Sequence, residues 1–171
     1  MTQPATSADS ALQGLNHTPE DELDRILSEV CSSSAWTARV RAARPWADAQ
    51  ALHTANLAAM AALTDSDLDE AMAGHARIGT PKAGDATSQR EQAGLHGAGT
   101  VLLDELRAAN DSYQEKFGHV FLICATGRTA ETMLAALRAR HGNDPATERE
   151  IVRGELRKIN DIRIDRLLNQ N

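Results

Sequence analysis

The chain has 171 residues, of which 42% are hydrophobic and 25% charged, and its net charge is −6. That length supports one domain with its own core, and an acidic balance without a basic stripe argues against nucleic acid as a partner. Aromatic residues make up only 3%, so the core is built from Leu, Ile, Val, Met and Ala. Such a composition favours helices over a β-sandwich, which draws on β-branched and aromatic residues. No apolar run reaches the length of a membrane span. The opening MTQPATSADS lacks the charged and apolar regions of a signal peptide. Cys31 and Cys124 stand far apart and read as reduced, buried thiols. The expectation is a cytoplasmic protein that binds neither membrane nor nucleic acid.

In chain order, residues 1–14 are polar and read as a flexible tail, with order beginning near Leu15. Thr18-Pro19-Glu20-Asp21 marks a helix start, with a capping hydroxyl, proline at the first helical position and acids at the positive dipole end. Leu23, Ile26, Leu27 and Val30 follow at helical spacing, and Ser32–Ser34 ends that helix. A short helix over about 35–43 stops before Pro45. The next covers about 48–63, with Leu52, Leu57, Met60 and Leu63 as its apolar positions. Thr64, with Asp67 three residues on, restarts the pattern as a cap, and that helix ends near Gly74.

Residues 74–86, with Gly74, Gly79, Pro81 and Gly84, form a loop by composition. A helix begins around 85–88 and ends in the Gly-rich stretch 94–99. Leu102, Leu106, Ala109, Tyr113 and Phe117 form one stripe of the helix after it, closed by Gly118. His119–Ala125 (HVFLICA) has strand propensity but no second strand to pair with, so a buried extended segment is expected. Thr129 caps a helix to about Arg140, and a final helix runs from Pro145 to about Leu168. The fold expected is an all-α, single-domain multi-helix bundle, residues 15–171, with one short extended segment near 120–125.

Three places put polar residues where packing alone predicts apolar ones. In the last helix Val152, Leu156, Ile159 and Leu167 define a stripe. At about 100° per residue Arg163 falls within about 20° of Val152. Either it pairs internally or snorkels, or it anchors a ligand. Ser88, Glu91, Gln92 and Leu95 share one helical face. Either they are a cap followed by a solvated face, or their hydroxyl, carboxylate and amide hydrogen-bond a polar heterocycle. His75, between Gly74 and Gly79, is either an exposed loop histidine or an acid/base residue at the mouth of a pocket. No His-x-x-x-His or similar spacing suggests a metal site.

These places fall within motifs by which the chain resembles the OHCU decarboxylase (2-oxo-4-hydroxy-4-carboxy-5-ureidoimidazoline decarboxylase) family of urate degradation, from about Leu15 to Leu168. In order they are H-P-x-I-G, here His75–Gly79; S-x-x-E-Q, here Ser88–Gln92; F-x-I-x-A-x-G-[KR]-[ST], here Phe121–Thr129; N-D-P, here Asn143–Pro145; and K-I-x-x-x-R-[IL]-x-x-L, here Lys158–Leu167. Each is weak alone, and together in order they are specific. The resemblance implies an all-helical, cytoplasmic, homodimeric carboxy-lyase that uses no metal and no organic cofactor. Its implied substrate is a small molecule, OHCU, converted to (S)-allantoin. It implies catalytic roles for His75 and Glu91 and substrate binding by Ser88, Gln92 and Arg163. Main-chain groups of Phe121–Ala125 complete the implied pocket, with Phe121 and Ile123 lining it. Ala76 stands where the family usually has proline, which removes a stiffening element but no reactive group. Two rival readings are a non-catalytic helical homologue that binds a ligand or partner, and a decarboxylase or hydrolase of another ureido-heterocycle.

Overall fold

The computed structural model describes residues 7–81 and 83–169, and the described residues form nine α-helices and no strand. The all-α expectation therefore holds. The chain divides into two compact units, one running through Ala71 and resuming from Arg157, the other spanning Met72–Leu156.

In the first unit, helix α1 covers Ser7–His17 and buries Leu12 and Leu15. The tail expected over residues 1–14 is thus helical from Ser7; its first six residues lie outside the described ones. Two leucines three positions apart make a short stripe that a polar neighbourhood hides. Helix α2 (Glu20–Val30) buries Leu23, Leu27 and Val30. Pro19 occupies its cap position without a side-chain bond, while the Thr18 hydroxyl donates back to the Gly14 carbonyl (3.0 Å). Helix α3 (Ser34–Ala42) starts on Ser33, whose hydroxyl accepts from Trp36 N–H. The serine cluster thus opens a helix as well as ending one. Asp48 caps α4 (Ala49–Ala61) at Ala51 N–H (2.8 Å). The buried face of α4 runs through Leu52, Ala55, Asn56, Ala59 and Met60, which leaves Leu57 53% exposed on the other side. Thr64 and Asp67 cap α5 (Asp65–Ala73) reciprocally, as their spacing predicts.

This unit has a polar centre. Asn56, fully buried, accepts from Trp36 Nε1 (2.9 Å) and donates to Asp161 (2.9 Å). His53 bonds Asp161 through Nδ1 and Asp165 through Nε2, both at 2.9 Å. Burial pulls the His53 pKa down, but the two carboxylates outweigh it and the net shift is upward.

The second unit contains α6 (Ala86–Glu91), a single 3-10 turn (Ala93–Leu95), α7 (Thr100–Phe117), α8 (Ala130–His141) and the first part of α9 (Pro145–Asn169). Helix α7 packs on α8 around a cluster that includes Ile78, Leu106, Tyr113, Phe121, Ile123, Met133, Leu134 and Leu137. Gly118 ends α7 at φ 76°, the left-handed conformation that glycine adopts at least cost. Thr129 and Thr132 form a capping box at the start of α8.

Residues 120–125 are extended and unpaired, as expected. Side chains take the place of a sheet. Arg140 donates to the Leu122 carbonyl (2.8 Å), and Glu155 accepts from Cys124 N–H (2.8 Å). Arg140 is itself held by Glu148, which is 0% exposed and also accepts from Tyr113 Oη and Asn143 Nδ2. A buried carboxylate so fully bonded meets the cost of its own desolvation.

Candidate active site

Six of the seven sequence-predicted residues lie on three short pieces of the second unit: His75 after α5, Ser88, Glu91 and Gln92 in and just after α6, and Phe121 and Ile123 in the extended segment. His75 follows the last turn of α5, where its N–H donates to the Met72 carbonyl (2.9 Å). The residue is half-buried, and its Nε2 is shielded from solvent. Helix α6 is short because Asp85 fixes its start, bonding Thr87 and Ser88 N–H (both 3.1 Å), and Gln92 already leaves helical geometry. Ser88 and Gln92 are buried and Glu91 is half-buried. The shared face therefore points inward, against the solvated alternative. Ser88 Oγ is buried without a hydrogen-bond partner among the described residues. A buried hydroxyl left so carries a desolvation cost of about 1–3 kcal/mol, which a ligand that bonds it would recover.

The Gln92 side chain bonds main chain at both ends. Its Oε1 accepts from Gly79 N–H (2.9 Å) and its Nε2 donates to the Arg77 carbonyl (3.1 Å). Both ends of the amide are committed to the loop that carries His75. The amide expected to bind substrate thus also ties α6 to this loop.

Phe121 and Ile123 put their side chains into the hydrophobic cluster, 1% and 5% exposed. Phe121 meets Tyr113 edge-on (5.2 Å) and lies under the Arg140 guanidinium (4.5 Å). Packing thus accounts for both side chains. What this segment leaves available is main chain: neither Phe121 nor Ile123 makes a main-chain hydrogen bond within the described residues, while Leu122 and Cys124 between and beside them are pinned. Burial raises the Cys124 thiol pKa, aided by the charges of Glu155 and, to a lesser degree, Glu91. The thiol therefore stays protonated and unreactive.

Arg163 belongs to the first unit. It is half-buried rather than largely buried, and Nη1 donates to the carbonyls of Val30 (3.0 Å) and Glu29 (3.4 Å) at the end of α2. A cation there also meets the negative end of the α2 dipole. The buried stripe of α9 continues through Ile159, Ile164 and Leu168 instead, so the helical phase was displaced by one position from the expected Leu167.

A cavity of about 150 Å³ in the second unit is lined by Arg77, Ile78, Gly79, Thr80, Leu103, Arg107 and Asp111. None of the predicted site residues lines it. Arg77 is bonded to Asp111 and Arg107 to Asp104, so its cations are already engaged. Among the described residues no group of three or more His, Cys, Asp or Glu side chains could hold a metal ion. No described helix is long and apolar enough to cross a membrane.

Sequence reasoning missed Asn110, Tyr113 as a hydrogen-bond donor, Arg140, Glu148 and Glu155. The signal was present for several. Asn110 stands in the Leu106–Tyr113–Phe117 stripe, and Glu148 and Glu155 share a face with Val152 and Ile159.

Fold and site together define a small all-helical protein that carries, on one compact unit, a loop histidine, a half-buried carboxylate, a buried hydroxyl and an extended segment whose Phe121 and Ile123 main chain is unbonded within the described residues. Residues 16–165 match the family described as OHCU decarboxylase, and the chain belongs to that family. It is 31% identical over 146 residues to the Arabidopsis thaliana uric acid degradation bifunctional protein TTL, covering 81% of this chain and 45% of that one. It is 40% identical over 76 residues to the Amia calva 2-oxo-4-hydroxy-4-carboxy-5-ureidoimidazoline decarboxylase, covering 42% of this chain and 43% of that one. The chain thus spans less than half the length of either relative. A solved structure of OHCU decarboxylase in the presence of (S)-allantoin aligns with a TM-score of 0.73 and 29% identity, over 90% of this chain and 100% of that one.

Proposed function

We propose that this protein is a carboxy-lyase of urate degradation that removes CO₂ from OHCU and yields (S)-allantoin. The observation that carries the reading is the alignment, over the whole of its length, to an OHCU decarboxylase solved with (S)-allantoin. The family match over residues 16–165 supports taking 15–171 as the functional domain. The resemblance further supports a homodimer in the cytoplasm; light scattering of the purified protein and cell fractionation test these two points.

Breaking the carbon–carboxylate bond leaves an electron pair on the ring carbon, and the substrate's own imine accepts it. The protein must orient the carboxylate, stabilise charge as it moves onto ring atoms and deliver one proton to one face. In this reading His75 takes the proton of the substrate hydroxyl and so promotes loss of CO₂. Glu91 accepts from ring or ureido N–H groups. Ser88 Oγ, buried and unbonded among the described residues, supplies a hydrogen bond. Main-chain groups of Phe121 and Ile123 supply others. Arg163, assigned by its motif alone, holds a substrate oxygen.

The test generates OHCU in situ from urate and follows circular dichroism. Faster appearance of one allantoin enantiomer than in buffer supports the reading; racemic product at the uncatalysed rate refutes it. His75→Asn is expected to lower the rate about 10²–10⁴-fold, and turnover near that of the wild type would remove His75 from its role.

A further inference from the structure

The loop after His75 is held from below by two buried side-chain amides. Gln92 takes the Arg77 carbonyl and Gly79 N–H (3.1 and 2.9 Å). Asn110, on α7, donates from Nδ2 to the Ile78 carbonyl (3.2 Å) and to the Leu106 carbonyl of its own helix (3.0 Å). Three consecutive residues are thus pinned through their main chain. On the other side, His75 N–H is fixed to Met72. Between the two anchors stands Ala76, whose main chain makes no hydrogen bond within the described residues. The course of the main chain out of His75 is therefore set in part by where residues 77–79 are held.

Asn110 is a costly choice for packing alone. It is 1% exposed, and its Oδ1 is buried without a partner among the described residues. A leucine, with the same branching but larger, would remove that orphan acceptor and leave the Ile78 carbonyl as an orphan instead. Asparagine thus exchanges one orphan acceptor for another, with little net gain for burial. What asparagine adds is a fixed position for the Ile78–Gly79 peptide.

We propose that Asn110, acting with Gln92, is a positioning residue that sets the geometry of His75 for proton transfer. The proposal rests on His75 as the acid/base of the decarboxylation above. Its role is to hold the loop, with no contact to substrate.

The test uses the full chain with Asn110→Leu and, as a second variant that survives if the first fails to fold, Gln92→Met. Two readouts are taken. The first is the His75 imidazole C2–H resonance followed by NMR against pH, assigned by its loss in His75→Asn. This readout needs no activity, so it separates failure of the proposal from failure of the proposed reaction. The second is kcat and KM for OHCU, alone and in the His75→Asn background. Expected for both variants are a displaced His75 resonance and a kcat lowered about tenfold or more, with KM within about twofold. Neither should lower the rate further once His75 is asparagine. The melting temperature of Asn110→Leu should stay within about 5 °C of the wild type. An unmoved His75 resonance, a rate loss that multiplies with His75→Asn, or a rise in KM for Gln92→Met at unchanged kcat would each overturn the assignment.

Discussion

Gly94 follows Gln92 by two residues, and the space for its side chain is taken by another stretch of backbone. A Cβ at this position would overlap the Arg128 carbonyl oxygen and lie 2.9 Å from its carbon and 3.6 Å from Thr129 Cα. To restore about 3.4 Å to the carbon alone, the two backbones must part by roughly 0.5 Å, and the oxygen, nearer still, demands more. Neither side can turn aside. The 3-10 turn is bonded at Leu95 N–H to the Gln92 carbonyl (3.0 Å), and the facing turn at Arg128 N–H to the Ala125 carbonyl (3.0 Å). Overpacking typically costs about 1–3 kcal/mol, and backbone against backbone belongs at the upper end. At about 2–4 °C per kcal/mol for a chain of this size, Gly94→Ala should melt roughly 6–12 °C lower. Turnover should fall beyond what the unfolded fraction explains, because the displaced elements carry Glu91, Gln92 and the 121–125 segment. The control is Gly154→Ala, inside α9 with nothing within 4 Å of its Cβ. It should raise stability by about 0.5–1 kcal/mol. Differential scanning fluorimetry and the in situ OHCU assay measure both. A Gly94→Ala protein with wild-type melting and turnover would refute the close approach.

Two further outcomes follow from buried charge and from a histidine. Arg140→Met leaves Glu148 in the interior with Tyr113 and Asn143 as its remaining partners. The expected loss is about 3–5 kcal/mol by urea unfolding, largely recovered in the double variant Arg140→Met, Glu148→Leu; a single variant as stable as the wild type would contradict the buried pairing. His53 has a raised pKa in the folded protein, so the protonated form is favoured by folding. Its contribution is present at mildly acidic pH, where Asp161 and Asp165 are still ionised, and is lost as pH rises through the folded-state pKa. The stability advantage of the wild type over His53→Gln should therefore be larger near pH 5.5 than near pH 9, and a pH-independent difference would dismiss the ionic contribution.

Features written by neighbouring residues were legible in the sequence. The Thr64–Asp67 cap, the Thr129 cap and the Gly118 terminus each need only three or four positions, and the structure shows all three. The extended character of 120–125 followed from having no strand to join. Features written by distant residues were not legible. The amide of Gln92 closes on residues 13 and 15 positions earlier, a tie that a helix-face argument does not see. The apolar stripe of α9 is displaced by one step at Leu167 because its pattern contains buried Glu148, Glu155 and Asn160. Those residues blur the stripe while packing into it. Ser88 and His75 are marked by both the local pattern and the family motif, and the burial of Ser88 is visible only once α6 is folded.

The extended segment near 120–125 has a consequence for how this protein tolerates change. Its path is written elsewhere: by Arg140 on α8, by Glu155 on α9, and through Arg140 by Glu148. A strand in a sheet inherits its course from a neighbouring strand and survives most substitutions in that neighbour, because main chain does the pairing. Here single side chains do it, 18 and 31 residues away in sequence. Variation in the segment itself needs only to keep apolar bulk. Arg140, Glu148 and Glu155 have no comparable latitude, although none of them need ever meet the substrate. In a library of random substitutions, the fragility of the extended segment would be recorded on two helices rather than on the segment.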